Sequence, residues 1–107
     1  EDPVGAVART IRLILDIQKD AGITEAFRFA ACVSDGERLW AFRWSSDRIL
    51  PTLYLSDRLD GTIIVSEPLD GSTDTWHEVP KCGFVSMTRG GKPVFGSLDR
   101  AICDCCC

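Results

Sequence analysis

Residues 26–44 constrain this chain more than any other stretch. Apolar residues alternate through 26–33 and again through 38–44, with Ser34-Asp35-Gly36-Glu37 between them. Alternation with a period of two marks a strand, and an Asp-Gly pair supplies the positive φ angles of a tight hairpin turn. In the first arm Phe27, Phe29 and Ala31 alternate with Arg28, Ala30 and Cys32. In the second, Leu39, Ala41 and Arg43 alternate with Trp40, Phe42 and Trp44. A single helix covers one face of a single sheet well, and the other face needs a partner layer.

Upstream of the hairpin, Val4, Val7, Ala8, Ile11, Ile14 and Leu15 recur at helical spacing, with Arg9, Arg12, Asp16 and Lys19 on the other side. Asp2 is placed to cap the first free amides and Pro3 suits the first helical position. The pattern predicts a helix over Pro3–Asp20, stopped at Gly22, with Ile11 on its buried face. Downstream, strands are predicted over 52–56, 62–66 and 83–88. A short sixth strand over 92–98 is confined to an edge or an end by Pro93. Residues 70–75 read as a polar loop. The core candidates are Phe27, Phe29, Leu39, Leu53, Leu55, Ile63, Val65, Phe84 and Val85. The fold class is therefore α+β: one long N-terminal helix packed on a mainly antiparallel sheet.

The 107 residues suffice for one modest core. A formal charge of −4, with Arg and Lys scattered, argues against a nucleic-acid partner. No apolar stretch approaches the roughly 18 residues of a membrane span, and no signal peptide is visible, so a cytoplasmic protein without a membrane partner is expected. The chain opens on Glu1 rather than Met, which suggests a processed or internally numbered sequence. Cys32 and Cys82 sit in apolar patterns and read as small buried hydrophobes. Cys103, Cys105, Cys106 and Cys107 crowd the end without the paired knuckles of a zinc site. Neither a metal nor another cofactor is expected, and residues 99–107 are expected to be a disordered tail.

The order of motifs resembles a known family. Thr62-Ile63-Ile64-Val65-Ser66-Glu67-Pro68-Leu69 is followed by Trp76, then Val79-Pro80, then Gly83 and another apolar strand. Upstream, Ser34-Asp35-Gly36 leads into Leu39-Trp40-Ala41-Phe42-Arg43, and Thr52-Leu53-Tyr54 follows. Together these resemble the C-terminal half of the class II glutamine amidotransferase domain, a member of the N-terminal-nucleophile hydrolase superfamily. The resemblance covers residues 1–98. It implies half of a four-layer αββα sandwich. The family's chemistry uses a terminal cysteine whose free amine acts as base, an Asn-Gly oxyanion hole, and an Arg and an Asp that grip the substrate. All lie upstream of the helix that opens this chain, so no catalytic residue is carried over to a position here.

Among the residues present, His77 could serve as a general base but reads as a loop residue beside Trp76. Glu67, at a strand end before a proline, reads as a structural hydrogen-bonding group. Arg43, within an apolar strand, is expected to pair with Glu67 or another carboxylate inside the sheet. Trp40, Trp44 and Trp76 complete the structural or possible binding set. Three functions follow: a non-catalytic, truncated relative acting as a structural or interaction module; the C-terminal part of an active amidotransferase whose Cys-bearing N-terminal half is supplied separately; or a small-ligand-binding protein using an open sheet face. With the second sheet's main strands expected to be missing, Trp40, Phe42 and Trp44 would line an exposed face. A homodimer through that face is the expected partner arrangement.

Overall fold

The computed structural model describes residues 2–58, 61–71 and 75–98. The cysteine tail lies outside these residues, so the expectations placed on it lie outside them too. Among these residues one helix, α1 (Pro3–Asp20), precedes seven strands: β1 (Arg28–Ser34), β2 (Arg38–Ser45), β3 (Tyr54–Arg58), β4 (Gly61–Val65), β5 (His77–Glu78), β6 (Gly83–Thr88) and β7 (Val94–Ser97). The helix has the predicted bounds. Asp2 holds extended backbone, and its side chain accepts a hydrogen bond from the Val4 amide at 3.1 Å. Gly22 adopts a positive φ just beyond the last turn.

The strands form two antiparallel sheets, one ordered β1-β2-β6-β7 and the other β4-β3-β5. The β1–β2 hairpin pairs Phe29 with Trp44, Ala31 with Phe42 and Val33 with Trp40. Ala41 pairs with Val85 and Phe42 with Phe84 on β6. This register places Trp40, Phe42, Trp44 and Phe84 on one face of the larger sheet, and Leu39, Ala41, Val85 and Met87 on the other.

Each face is covered by a different layer. Ala8 and Ile11 of α1 pack on Trp40, Phe42 and Trp44, joined by Cys82 and Leu98, with Val4, Val7, Leu15, Phe27 and Phe29 at the margin. Ala41, Val85 and Met87 pack on Leu53, Leu55 and Val79 of the second sheet and its approaches. The architecture is thus helix, sheet, sheet: the α+β class read from the sequence, with three layers of an αββα sandwich.

Two expectations are corrected here. The second sheet is present, because β3, β4 and β5 pair with one another rather than extending the first. Consequently Trp40, Phe42 and Trp44 do not form an exposed face. They are 7%, 0% and 0% accessible beneath α1, so this face offers no dimer contact. The alternation separates the two faces of β2, and the helix covers the one expected to be exposed. Trp44 and Phe42, absent from the expected core, are the largest fully buried side chains. Burying an aromatic of this size contributes about 1.5–3 kcal/mol. Ile63 and Val65 are only half-buried, because Ile64, between them, is the β4 residue that packs on the inner cluster. β5 was not predicted; its two residues are held against β3 by tertiary pairing alone.

Candidate functional site

Arg43 is the one buried charged side chain among the described residues, and its surroundings are built from both sheets. It lies on the inner face of β2, where the alternation that buries Ala41 also draws in its guanidinium, leaving it 3% accessible. Nε donates to the Pro51 carbonyl at 2.6 Å and Nη1 to the Val79 carbonyl at 2.7 Å. Nη1 also lies 3.0 Å from a carboxylate oxygen of Glu78, whose side chain is 50% exposed. The partner is therefore Glu78, not Glu67. A strand that looks isolated in sequence acquires its carboxylate from β5, which the larger sheet meets only through packing. The guanidinium ties β2 to the segment before β3 and to the segment after β5. Buried carbonyls need such donors.

The other expected site residues disperse. Glu67 is exposed just past the end of β4. The link expected of its side chain is made instead by the neighbouring main chain, where the Ser66 carbonyl accepts from Thr52 Oγ1 at 2.7 Å. Trp76 is buried, and its Nε1 donates to Asp70 Oδ1 at 3.0 Å. Trp40 and Trp44 belong to the core beneath α1. Trp44 Nε1 is buried with no hydrogen-bond partner among the described residues. The structure does not bring these five residues into one site.

The potential nucleophiles are also separated. Cys32 is an exposed free thiol on β1, an outer strand of the first sheet, and desolvation pushes its pKa up, away from the thiolate. Of the two cysteines expected to be small buried hydrophobes, Cys32 is thus exposed, while Cys82 is fully buried and disulfide-bonded. His77 is exposed on β5. Cys32 and residues of β4 line a common groove, whereas β5 is the opposite edge of that second sheet. A Cys32–His77 dyad is not assembled.

Beyond the predicted residues, two constructions carry well-defined electrostatics. At the far end of β2, Asp47 receives Arg28 Nη2 at 2.8 Å, Ser45 Oγ at 2.6 Å and the Ile49 amide at 3.0 Å. The Arg28 and Ser45 hydrogen bonds hold its carboxyl down at about 2. At the near end, Asp35 Oδ1 receives the amides of Glu37 and Arg38 at 2.9 and 2.8 Å. Those bonds lower its pKa and fix the hairpin turn. Beside that turn the two sheets part into an open cleft of about 470 Å³, reached by Arg38, Arg89 and Asp57. The Asp-Gly turn was legible in the sequence. The cleft was not, because its described lining residues come from three segments distant in sequence.

Among the described residues no group of three or more His, Cys, Asp or Glu side chains could hold a metal ion. No described helix is long and apolar enough to cross a membrane.

No family model and no curated protein matches the chain. Among solved structures, a glutamine aminotransferase class-II domain protein from Silicibacter pomeroyi superposes with a TM-score of 0.80 at 33% sequence identity. The match covers 90% of this chain and 44% of that one, so this chain spans less than half the length of its structural relative.

Proposed function

Taking as premise that this chain has the fold of part of a class II glutamine amidotransferase domain, we propose that it forms the supporting half of a glutamine-hydrolysing domain. The attacking cysteine would be contributed by a separate segment or chain. The observation that carries this reading is the partial match: nine-tenths of this chain corresponds to less than half of the relative.

The exposed apolar positions support it. Phe95 pairs with Val85 across β6 and β7 and so faces the same side, yet Val85 is fully buried and Phe95 is 45% exposed. The cover given by the smaller sheet therefore ends at β6. On α1, Leu13 and Ile17 lie one turn apart and are exposed. Further elements beside β7 and α1 would bury these side chains. In this role Arg43 keeps the two sheets in register, and α1 closes the outer face of the larger one. Water-excluding rigidity of this kind is what a positioned nucleophile requires.

The test is a chimera in which this chain replaces the matching segment of the Silicibacter pomeroyi protein, assayed for glutamate release from glutamine beside the unmodified host. The expected result is glutamine-dependent release from the chimera and none from this chain alone. A folded but inert chimera beside an active host would favour a non-catalytic module. Release by this chain alone that disappears in Cys32→Ala would overturn the supporting role.

A further inference from the structure

An open cleft lies between the sheets beside the β1–β2 turn. Its floor is apolar, formed by Leu39 and Met87, which pair across β2 and β6 on the inner face of the larger sheet. Asp57 and Thr62 of the smaller sheet form the opposite wall, with Thr62 Oγ1 donating to Asp57 Oδ1 at 3.1 Å. Arg38 and Arg89 stand at the rim. The volume, about 470 Å³, falls within the usual range for small-molecule sites, roughly 300–1,000 Å³.

The rim is held in place by the main chain. Asp35 fixes the amides of residues 37 and 38, and the Arg89 amide donates to the Glu37 carbonyl at 3.3 Å, tying the β1–β2 turn to the β6–β7 turn. Gly36 and Gly90 take positive φ angles at these two turns, and neither turn carries a side chain at that point to block the opening. Two guanidinium groups therefore project from an anchored frame. Neither Arg38 nor Arg89 makes a salt bridge within 4.0 Å among the described residues, and Arg38 feels the Asp35 carboxylate only at longer range. Arginine is the side chain suited to bidentate carboxylate recognition.

We propose that this cleft binds a small carboxylic acid as its monoanion, with the carboxylate on Arg38 and Arg89 and a short aliphatic tail on Leu39 and Met87. Among the described lining residues Glu37 and Asp57 offset the charge of the two arginines, so the carboxylate is held by direct contact with the guanidinium groups rather than by a net positive field. This assignment is independent of the amidotransferase reading.

The test titrates the full 107-residue chain with 4-methylpentanoate, following amide chemical shifts and heat of binding. Matched titrations use 4-methylpentylamine and sulfate. Saturable shifts at Leu39, Met87, Thr88 and Gly91 are expected with the acid alone. Arg38→Ala and Arg89→Ala should each weaken binding by about tenfold or more, the usual effect of losing a charged hydrogen bond. Arg48→Ala, an exposed arginine outside the cleft, should bind as the parent does. All three arginines are exposed, and circular dichroism would verify folding of each variant. The proposal is overturned by an absence of shifts at tens of millimolar acid or by equal binding of the amine. Sulfate binding as well as the acid, or undiminished binding by the Arg38 and Arg89 variants, would overturn it too.

Discussion

Replacing Arg43 by methionine isolates the contribution of the buried guanidinium, because methionine retains an unbranched apolar stem of similar reach. The structure gives two hydrogen bonds from a charged donor to main-chain carbonyls, at 2.6 Å to Pro51 and 2.7 Å to Val79, and one ion pair with Glu78 at 3.0 Å. A hydrogen bond to a charged group contributes about 1.5–3 kcal/mol, and a buried acceptor left without a donor costs a similar amount. The ion pair adds little, because half of the Glu78 side chain is in water, and exposed pairs are worth about 0–1 kcal/mol. Arg43→Met should therefore destabilise by about 3–5 kcal/mol, within the range for breaking a buried charged network. Glu78→Gln should cost under about 1 kcal/mol. Arg43→Lys should fall between, since an ammonium lacks the planar fork that reaches both carbonyls. Urea unfolding at neutral pH, with the midpoints and slopes compared, measures all three. If Glu78→Gln costs as much as Arg43→Met, the ion pair rather than the carbonyl bonds dominates and the reasoning fails.

Ile11 is 1% accessible against the aromatic face, so Ile11→Ala should cost about 2–5 kcal/mol, and Asp2→Ala about 1 kcal/mol through the lost cap. The reverse order in denaturant melts would contradict the helix packing. Trp40→Glu should impair folding rather than merely alter self-association, because the residue is buried beneath α1; a well-folded variant with the parent's melting temperature would refute this. The Asp47 carboxyl is held at about 2 in the fold against an ordinary 3.8. Its contribution is therefore present above about pH 4 and is lost as pH falls through about 2. Asp47→Asn should flatten the acid limb of a thermal stability profile over that window, and an unchanged limb would show that the Arg28 and Ser45 contacts do not persist in solution.

The local elements were legible in the sequence because their determinants are local. Asp2 and Pro3 start α1, periodic apolar residues run through Leu15, and Gly22 follows the end. The Asp-Gly pair and period-two alternation fix the β1–β2 hairpin in the same way. The motif order from Asp35-Gly36 to Val79-Pro80 carried the resemblance that the structural match supports. What remained unread depended on contacts between distant segments. The alternation in β2 separates Trp40, Phe42 and Trp44 from Leu39, Ala41 and Arg43, but it cannot assign the helix to one face and the second sheet to the other. That assignment turned an expected exposed face into the core. Likewise, nothing near Arg43 in the chain specifies Pro51, Val79 and Glu78 as its partners, since two residues of β5 have no periodicity of their own. Arg38, Asp57 and Arg89 line one cleft although they come from three distant segments of the chain. A side chain's local surroundings set its element and its face, whereas what covers that face is decided by the packing of layers that the chain forms far away in sequence.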